Sequence, residues 1–352
     1  MTSSPREHRV AVIQGDGIGP SLVAAAFRVN AVCEATFGYH MAVEDVELVD
    51  QPGVERLGQP EVERLRDADA VFKGPAGLPG QHGPLGTETG VLGGVLRPAL
   101  QTYANIRPIR SWTGAPRIFP GSRKVDYVVI RENLEGLYAS RAGGARSGDA
   151  AADVLLVTRA GTERIARFAF DTARRRRGKS TGASVTCADK ANVLPSHAFF
   201  RSVVEAVSAD YPDVRLQYIH ADALAQTLIM DPWSVDVLVM ENFLGDIISE
   251  LASATVGGVG MQPSANIGSD HSYFEPAHGT APSLAGKDRA NPVGQILTLA
   301  LLLDHLGERE AALGVETAVE RAFADRALIL DGSGCPTEGT AAAAEAIARR
   351  VG

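Results

Sequence analysis

Cysteine is scarce in this chain: three residues in 352, Cys33, Cys187 and Cys335, far apart from one another. An odd, widely spaced set excludes a disulfide framework and a thiolate zinc site, and it fits a reducing compartment, so a cytoplasmic protein is expected. There is no surplus of basic charge. Forty-two acidic against 34 basic residues leave a net charge of -8, the opposite of a nucleic-acid binder's basic face. No uncharged apolar run is long enough to span a bilayer, and Met1-Thr-Ser-Ser-Pro-Arg-Glu-His8 has no apolar signal core, so neither a membrane helix nor a secretory leader is expected. Internal repeats and long low-complexity linkers are absent too.

What remains is an ordinary soluble composition, 45% hydrophobic, long enough for one large or two ordinary domains. Short β-branched runs alternate with longer helical patterns. Val10–Ile13, Ala70–Phe72, Tyr127–Ile130, Ser184–Thr186, Leu216–Ile219 and Val237–Met240 read as strands. After the first, Leu22, Ala26, Val29 and Cys33 mark one face of a helix. Repeated βα alternation predicts an α/β fold. Thr162 is placed as the cap of a helix that ends in Arg174 to Arg177 and Gly178, where cations suit the dipole and a solvated end is expected. Asn291 as cap, Pro292 and Gly307 frame another helix. The Gly- and Ala-rich stretch 140–155 reads as a loop or projecting arm.

Chemistry concentrates in a few places. Arg97, Arg107, Arg110 and Arg131 sit in or beside apolar segments. An arginine ending a buried strand is costly unless an anion pairs with it. A carboxylate clamp and internal salt bridges, for example to Glu132 or Glu135, answer that equally well. Asp246 and Glu250 are four apart and share a helix face, where like charges repel unless a cation lies between them. A hard cation such as Mg²⁺ or Mn²⁺ would suit them, and so would an exposed helix start. Asp222, in His220-Ala-Asp222, also follows a strand.

Lys190 stands just past a strand, where α/β sheets bind ligands, and beside a metal and arginines it would be a usable base. Tyr138 is a candidate acid or a packed, hydrogen-bonded ring. The run from Glu275 to Asn291 is dense in Gly, Pro and small polar residues, with His278 placed to meet an adenine. Gly15-Asp-Gly-Ile-Gly-Pro20 ends a strand, but Pro20 occupies the third glycine position of the dinucleotide fingerprint, so the classical pyrophosphate loop is not supported.

Six segments in order, Gly15–Pro20, Tyr103-Ala-Asn-Ile-Arg-Pro108, Arg131-Glu-Asn-Leu-Glu-Gly-Leu-Tyr138, Asp189-Lys-Ala-Asn192, Glu241-Asn-Phe-Leu-Gly-Asp-Ile-Ile-Ser249 and His278-Gly-Thr-Ala-Pro282, resemble the β-decarboxylating dehydrogenases. That family acts on isocitrate, 3-isopropylmalate, homoisocitrate and tartrate or malate. The resemblance runs from about Val10 to about Ala346. It implies a two-domain α/β fold with a large mixed sheet, distinct from a classical Rossmann fold. A large cofactor-binding domain would take 1–105 and 255–352. A small one, 106–254, would carry dimer contacts and an intersubunit arm.

The resemblance also implies a homodimer with shared sites. Lys190 as base and Asp222 would come from one subunit; Arg97, Arg107, Arg131, Tyr138, Asp246 and Glu250 would come from the other. Asp222, Asp246 and Glu250 would hold Mg²⁺ or Mn²⁺, and Tyr138 would be the acid. Arg97, Arg107, Arg131, Thr89, Leu92 and Asn192 would meet a hydroxy di- or tricarboxylate. His278, Gly279, Thr280, Ala281, Ser283, Leu284 and Asn291 would bind the nicotinamide cofactor.

Several positions depart from the family. Glu250 replaces an Asp, leaving direct or water-mediated metal contact open, and Leu134 replaces a Thr. Glu88-Thr-Gly-Val-Leu92 looks like isopropylmalate enzymes, with extra residues before Arg97. Val91 and Gly93 stand where isocitrate enzymes have a Ser and an Asn for the γ-carboxylate, favouring an isopropylmalate-, homoisocitrate- or malate-like substrate or a specialised analogue over isocitrate. Ser283-Leu284 matches neither the Asp of NAD enzymes nor the Lys-Tyr of NADP enzymes; without a cation for a 2′-phosphate, NAD is favoured over NADP. A non-catalytic regulatory homologue is the remaining alternative.

Overall fold

Val10 to Ile13 are four consecutive buried residues, and they form the inner end of the first strand. The computed structural model describes residues 6–47, 59–77, 92–142, 144–177 and 183–352. Along the chain, the first segment contains β1 (Arg6–Ile13), α1 (Gly19–Phe37), β2 (Tyr39–Asp45), α2 (Gln59–Asp67), β3 (Ala70–Lys73) and α3 (Leu92–Leu100). The middle segment begins with β4 (Ala104–Arg110), β5 (Asp126–Glu132) and a short ribbon of β6 (Ala145–Arg146) and β7 (Ala151–Ala152). It continues through α4 (Arg159–Arg175), β8 (Ser184–Asp189), α5 (Pro195–Ser208), β9 (Arg215–His220), α6 (Ala221–Met230), β10 (Val237–Met240) and α7 (Asn242–Ala254). The last segment holds β11 (Pro263–Ile267), β12 (Ser272–Pro276), α8 (Val293–His305), α9 (Arg309–Ala324) and α10 (Thr340–Ala348).

The chain divides into two units, Met1–Gln101 with Ser111–Pro120 and Val256–Gly352, and Thr102–Arg110 with Gly121–Thr255. In the first, the strands run β2-β1-β3-β12-β11, parallel except for β12 against β11. In the second they run β4-β5-β10-β8-β9, parallel except for β4 against β5. The mixed α/β architecture is the expected one. Residues 111–120 fall in the first unit and 102–105 in the second. Trp112 is buried, the Thr113 hydroxyl donates to Glu320 at 2.6 Å, and a Cβ on Gly114 would lie 2.6 Å from the carbonyl oxygen of Phe323.

Each unit buries its own core. In the first, Leu22, Ala26, Val29 and Cys33 of α1 are completely buried, and α8 is buried along nearly its whole length. In the second, Val185, Cys187 and Val237 to Met240 are buried strand residues covered by Ile165, Ala169 and Phe170 of α4. All three cysteines are buried free thiols. Among the described residues no helix is long and apolar enough to cross a membrane.

Helix α4 starts three residues before Thr162. Thr158 is extended and its hydroxyl accepts the Gly161 N–H, whereas the Thr162 hydroxyl donates back to the Thr158 carbonyl from inside the first turn. The far end of α4 is solvated as expected, with Arg174, Arg175 and Arg177 exposed, and ion pairs also hold it. Arg176 bonds Asp236 at 2.8 Å and Asp126 at 3.0 Å, while Arg174 and Arg177 pair with Asp213.

Candidate active site

Arg131 is the last residue but one of β5, and its neighbour in the sheet is Met240, the last residue of β10. The chain then turns at Glu241, whose carboxylate accepts the Phe243 and Leu244 N–H groups at 2.8 Å and caps α7. Gly245 lets that helix lie close to β5: a Cβ there would stand 2.6 Å from the Arg131 Cγ. The consequence is a one-sided face. Asn242, Asp246 and Glu250, each four residues apart, follow one stripe of α7.

The stripe meets two buried arginines. Arg131 forks onto the Asn242 amide oxygen, Nε at 2.9 Å and Nη2 at 2.8 Å, and its Nη1 pairs with Asp246 Oδ1. Arg107, from β4, donates to Asn105 Oδ1 at 3.0 Å and to the Ser249 hydroxyl at 2.7 Å. Its remaining reach is to both acids, 3.5 Å to Asp246 and 3.3 Å to Glu250. One guanidinium, that of Arg107, thus reaches both carboxylates. Glu250 is exposed, yet partial desolvation of its carboxyl, with Asp246 nearby, pushes its pKa up despite Arg107. Glu132 and Glu135 look elsewhere. Glu132 accepts the Leu134 and Glu135 N–H groups, and Glu135 accepts from the backbone and hydroxyl of Thr158.

Tyr138 lies on the turn after β5. Its ring stacks on the Arg131 guanidinium, 5.6 Å away, and meets Phe243 edge-on. Its hydroxyl donates to Asp246 Oδ2 at 2.8 Å. A proton donor, two carboxylates and two bidentate cations thus share one end of the second unit.

A second cluster lies at the ends of β8 and β9. Lys190 is the first residue past β8, and its Nζ donates to Asp222 Oδ2 at 2.8 Å, in the first turn of α6. That bond holds the Asp222 carboxyl below its ordinary pKa. Asp189, just before, is buried and gripped by Arg201 at 2.7 and 2.8 Å. Asn192 is exposed in the same turn. Among the described residues no group of three or more His, Cys, Asp or Glu side chains is assembled to hold a metal. The donors are nevertheless the hard oxygens that Mg²⁺ and Mn²⁺ take. Asp246 and Glu250 provide two, and Asp222 belongs to the other cluster.

The first unit carries the remaining candidates. Gly15 and Gly17 have positive φ, and Cβ atoms at 15, 17 and 19 would lie 2.1, 2.3 and 2.5 Å from the carbonyl oxygens of Pro75, Thr280 and Gln14. These glycines pack backbone against backbone, consistent with the missing fingerprint. The Ile18 N–H bonds the Thr280 carbonyl at 3.0 Å, and the Thr280 hydroxyl donates to the Gly77 carbonyl at 3.1 Å.

Next to this seam, His278 Nδ1 is 3.0 Å from the Gly279 carbonyl, so Nδ1 carries the proton and Nε2 is an acceptor. Burial lowers the ring's pKa and keeps it neutral. Nε2 is itself buried without a hydrogen-bond partner among the described residues, an orphan suited to an amino donor such as adenine's. Gly279 and Ser283 are exposed. Ala281 and Leu284 pack against Ile18, Leu22 and Ala290. Asn291 is buried and takes the Val293 N–H at 3.1 Å, so α8 begins at Val293, with Asn291 holding its first turn from just outside. Arg97 lies in the last turn of α3, which begins at Leu92. Thr89 lies outside the described residues.

Sequence reasoning did not single out Asn105, Asn242 or Ser249, the partners that aim the arginines. Asn242 had a signal: it continues the four-residue spacing of Asp246 and Glu250 backwards. Asn105 had one too, lying two residues from Arg107 on the same face of β4; Ser249 had none, since its contact bridges 142 residues.

The chain matches the family model described as isocitrate/isopropylmalate dehydrogenase over residues 9–347. It is 40% identical over 318 residues to a 3-isopropylmalate/3-methylmalate dehydrogenase of Methanocaldococcus jannaschii, covering 90% of this chain and 91% of that one. It is 39% identical over 317 residues to an isocitrate/homoisocitrate dehydrogenase of Thermus thermophilus, with coverage of 89% and 90%. Among solved structures, the isocitrate dehydrogenase of Methylococcus capsulatus superposes with a TM-score of 0.84 at 36% identity, covering 98% of this chain and 99% of the other.

Proposed function

The chain belongs to the isocitrate/isopropylmalate dehydrogenase family, and on that premise we propose that it oxidises and decarboxylates a 3-substituted malate other than isocitrate, with NAD and Mg²⁺ or Mn²⁺. Oxidative decarboxylation of a hydroxy acid is the reaction of the family. The observation that carries the reading is the Arg107, Arg131, Tyr138, Asp246 and Glu250 cluster, which combines carboxylate-binding cations, hard metal donors and a proton donor. Val91 and Gly93, in place of polar partners for a γ-carboxylate, favour a substrate without one. Ser283 and Leu284, which offer no cation for a 2′-phosphate, favour NAD.

When bound, NAD supplies the hydride acceptor, and a divalent ion held by Asp246, Glu250 and Asp222 supplies Lewis-acid polarisation of the hydroxyl. Arg107 and Arg131 orient the substrate's carboxylates. Lys190 takes the hydroxyl proton at Nζ. After CO₂ leaves, the Tyr138 hydroxyl returns a proton to the carbon that bore it. Two copies of the chain share each site, with Lys190 and Asp222 of one subunit completing the arginine cluster of the other. His278 and the backbone through Ser283 bind the adenosine end of the cofactor.

The test is a panel of 3-substituted malates, isocitrate included, with NAD and NADP and with Mg²⁺ and Mn²⁺, read as reduced-cofactor formation. Turnover of one non-isocitrate member with NAD is the expected result. Exclusive use of isocitrate would replace the proposal with the activity named for the Methylococcus capsulatus structure. Lys190→Met must abolish turnover while the protein stays folded; unchanged function would point to a binding protein.

A further inference from the structure

His197, in the first turn of α5, is a buried side chain that the chemistry above does not use. Its Nδ1 accepts the backbone N–H of Lys190 at 2.8 Å. A ring nitrogen that accepts carries no proton, so in the neutral imidazole the proton sits on Nε2. Among the described residues Nε2 is buried with no hydrogen-bond partner in range, and 3.9 Å away lies Glu241 Oε1. Glu241 is the residue that caps α7. The strands bring these parts together: β8 and β10 are parallel neighbours with Cys187 opposite Val239, so Asp189 and Glu241, each two residues further on, end at the same level.

We propose that His197 is a positioning residue for Lys190: one neutral imidazole holds the lysine's backbone N–H at Nδ1, while its other edge faces, at 3.9 Å, the carboxylate that caps the helix bearing Asp246 and Glu250. The tie supports a turn already held on its other sides. Asp189 takes the Ala191 N–H at 2.8 Å, and the Lys190 carbonyl accepts from Val193 and Leu194. With its amide and carbonyl both bonded, the Lys190 main chain is held still, and the flexible stem starts from a fixed point. Burial lowers the ring's pKa, while Glu241 and Asp189 pull the other way. A charged ring would present an N–H to the Lys190 N–H and break the tie. The inference rests on Lys190 being the proton acceptor.

Asn and Gln separate the two ring nitrogens, because an Asn amide oxygen reaches the Nδ1 position and a Gln amide reaches only the Nε2 position. In His197→Asn, the Lys190 amide should keep its protection from hydrogen exchange and kcat should stay near wild type. In His197→Gln, protection should fall, and kcat should drop at least about tenfold while KM for the hydroxy acid moves by less than about threefold. Ring-nitrogen NMR of the wild-type protein should show Nδ1 unprotonated and Nε2 protonated. A protonated Nδ1, or a His197→Gln protein that keeps Lys190 amide protection, overturns the proposal. So does equal loss of kcat in both variants tracking lowered melting temperature. If no hydroxy acid is turned over, the reading of function fails on its own, and the exchange and NMR results still decide the role of His197.

Discussion

Tyr138 and Asp246 are joined by a 2.8 Å hydrogen bond from the phenol to one carboxylate oxygen, while Arg131 grips the other. The donor is thereby aimed by a carboxylate that is itself fixed. Tyr138→Phe removes only the proton-bearing hydroxyl. The ring is partly exposed and keeps its stacking on Arg131, so folding should be unaffected. We expect kcat to fall by about a hundredfold or more, as for loss of a general acid, with KM little changed. Initial rates with the substrate found in the panel give the answer, and a kcat within about twofold of wild type would remove Tyr138 from the proton path.

Glu250 stands opposite Arg107, and its ionisation is disfavoured by partial desolvation and by Asp246. If it binds the metal, protons and metal compete for it. Mn²⁺ affinity of the wild type should decline as pH falls through that raised pKa, and Glu250→Gln should bind Mn²⁺ about tenfold or more weakly with a flatter pH dependence. Calorimetric titration at several pH values checks this. Identical titrations for both proteins would place Glu250 outside the metal's reach.

Burial pushes the Glu132 carboxyl from its ordinary 4.5 up to about 7, against three backbone N–H bonds that favour the anion. The folded state therefore holds this proton more tightly than the unfolded chain. The stabilisation is complete below the unfolded pKa and is lost as pH rises through about 7. Glu132→Gln should be close to neutral at acid pH. Above the folded pKa it should be more stable than wild type by about 3 kcal/mol, because each tenfold gain in proton affinity on folding corresponds to about 1.4 kcal/mol and the carboxyl moves from 4.5 to about 7. Parallel urea melts across that pH range measure the difference; a gap that does not change with pH would rule out a buried, proton-binding Glu132.

Gly245→Ala tests the contact between α7 and β5. The added methyl would lie 2.6 to 2.7 Å from Arg131 Cγ and Cβ, so the helix or the arginine must shift. A loss of about 1–3 kcal/mol is expected for such overpacking, and turnover should suffer beyond it because Arg131 is displaced. Denaturant unfolding combined with kinetics reports both. An alanine variant with wild-type kcat and stability would mean that the close approach does not matter.

Much of the fold is legible in the sequence because local rules govern it. Period-four apolar positions in α1 and β-branched strand runs report burial directly. The boundaries are less so: two threonines, Thr158 and Thr162, both fit a helix start, and only the extended backbone at Thr158 decides between them. The pairing of Arg107 with Ser249 crosses 142 residues and leaves no periodic trace. Neither does His197, which reads as one more polar residue at a helix start until the Lys190 amide is seen to point at it.

Asn242, Asp246 and Glu250 ride on a single rigid element. An α-helix turns by about 100° and rises about 1.5 Å per residue, so one residue inserted between Asn242 and Asp246 would swing both acids away from the arginines, and four would keep their facing nearly in phase but carry them about 6 Å along the axis. The length of this segment is therefore constrained more tightly than its composition.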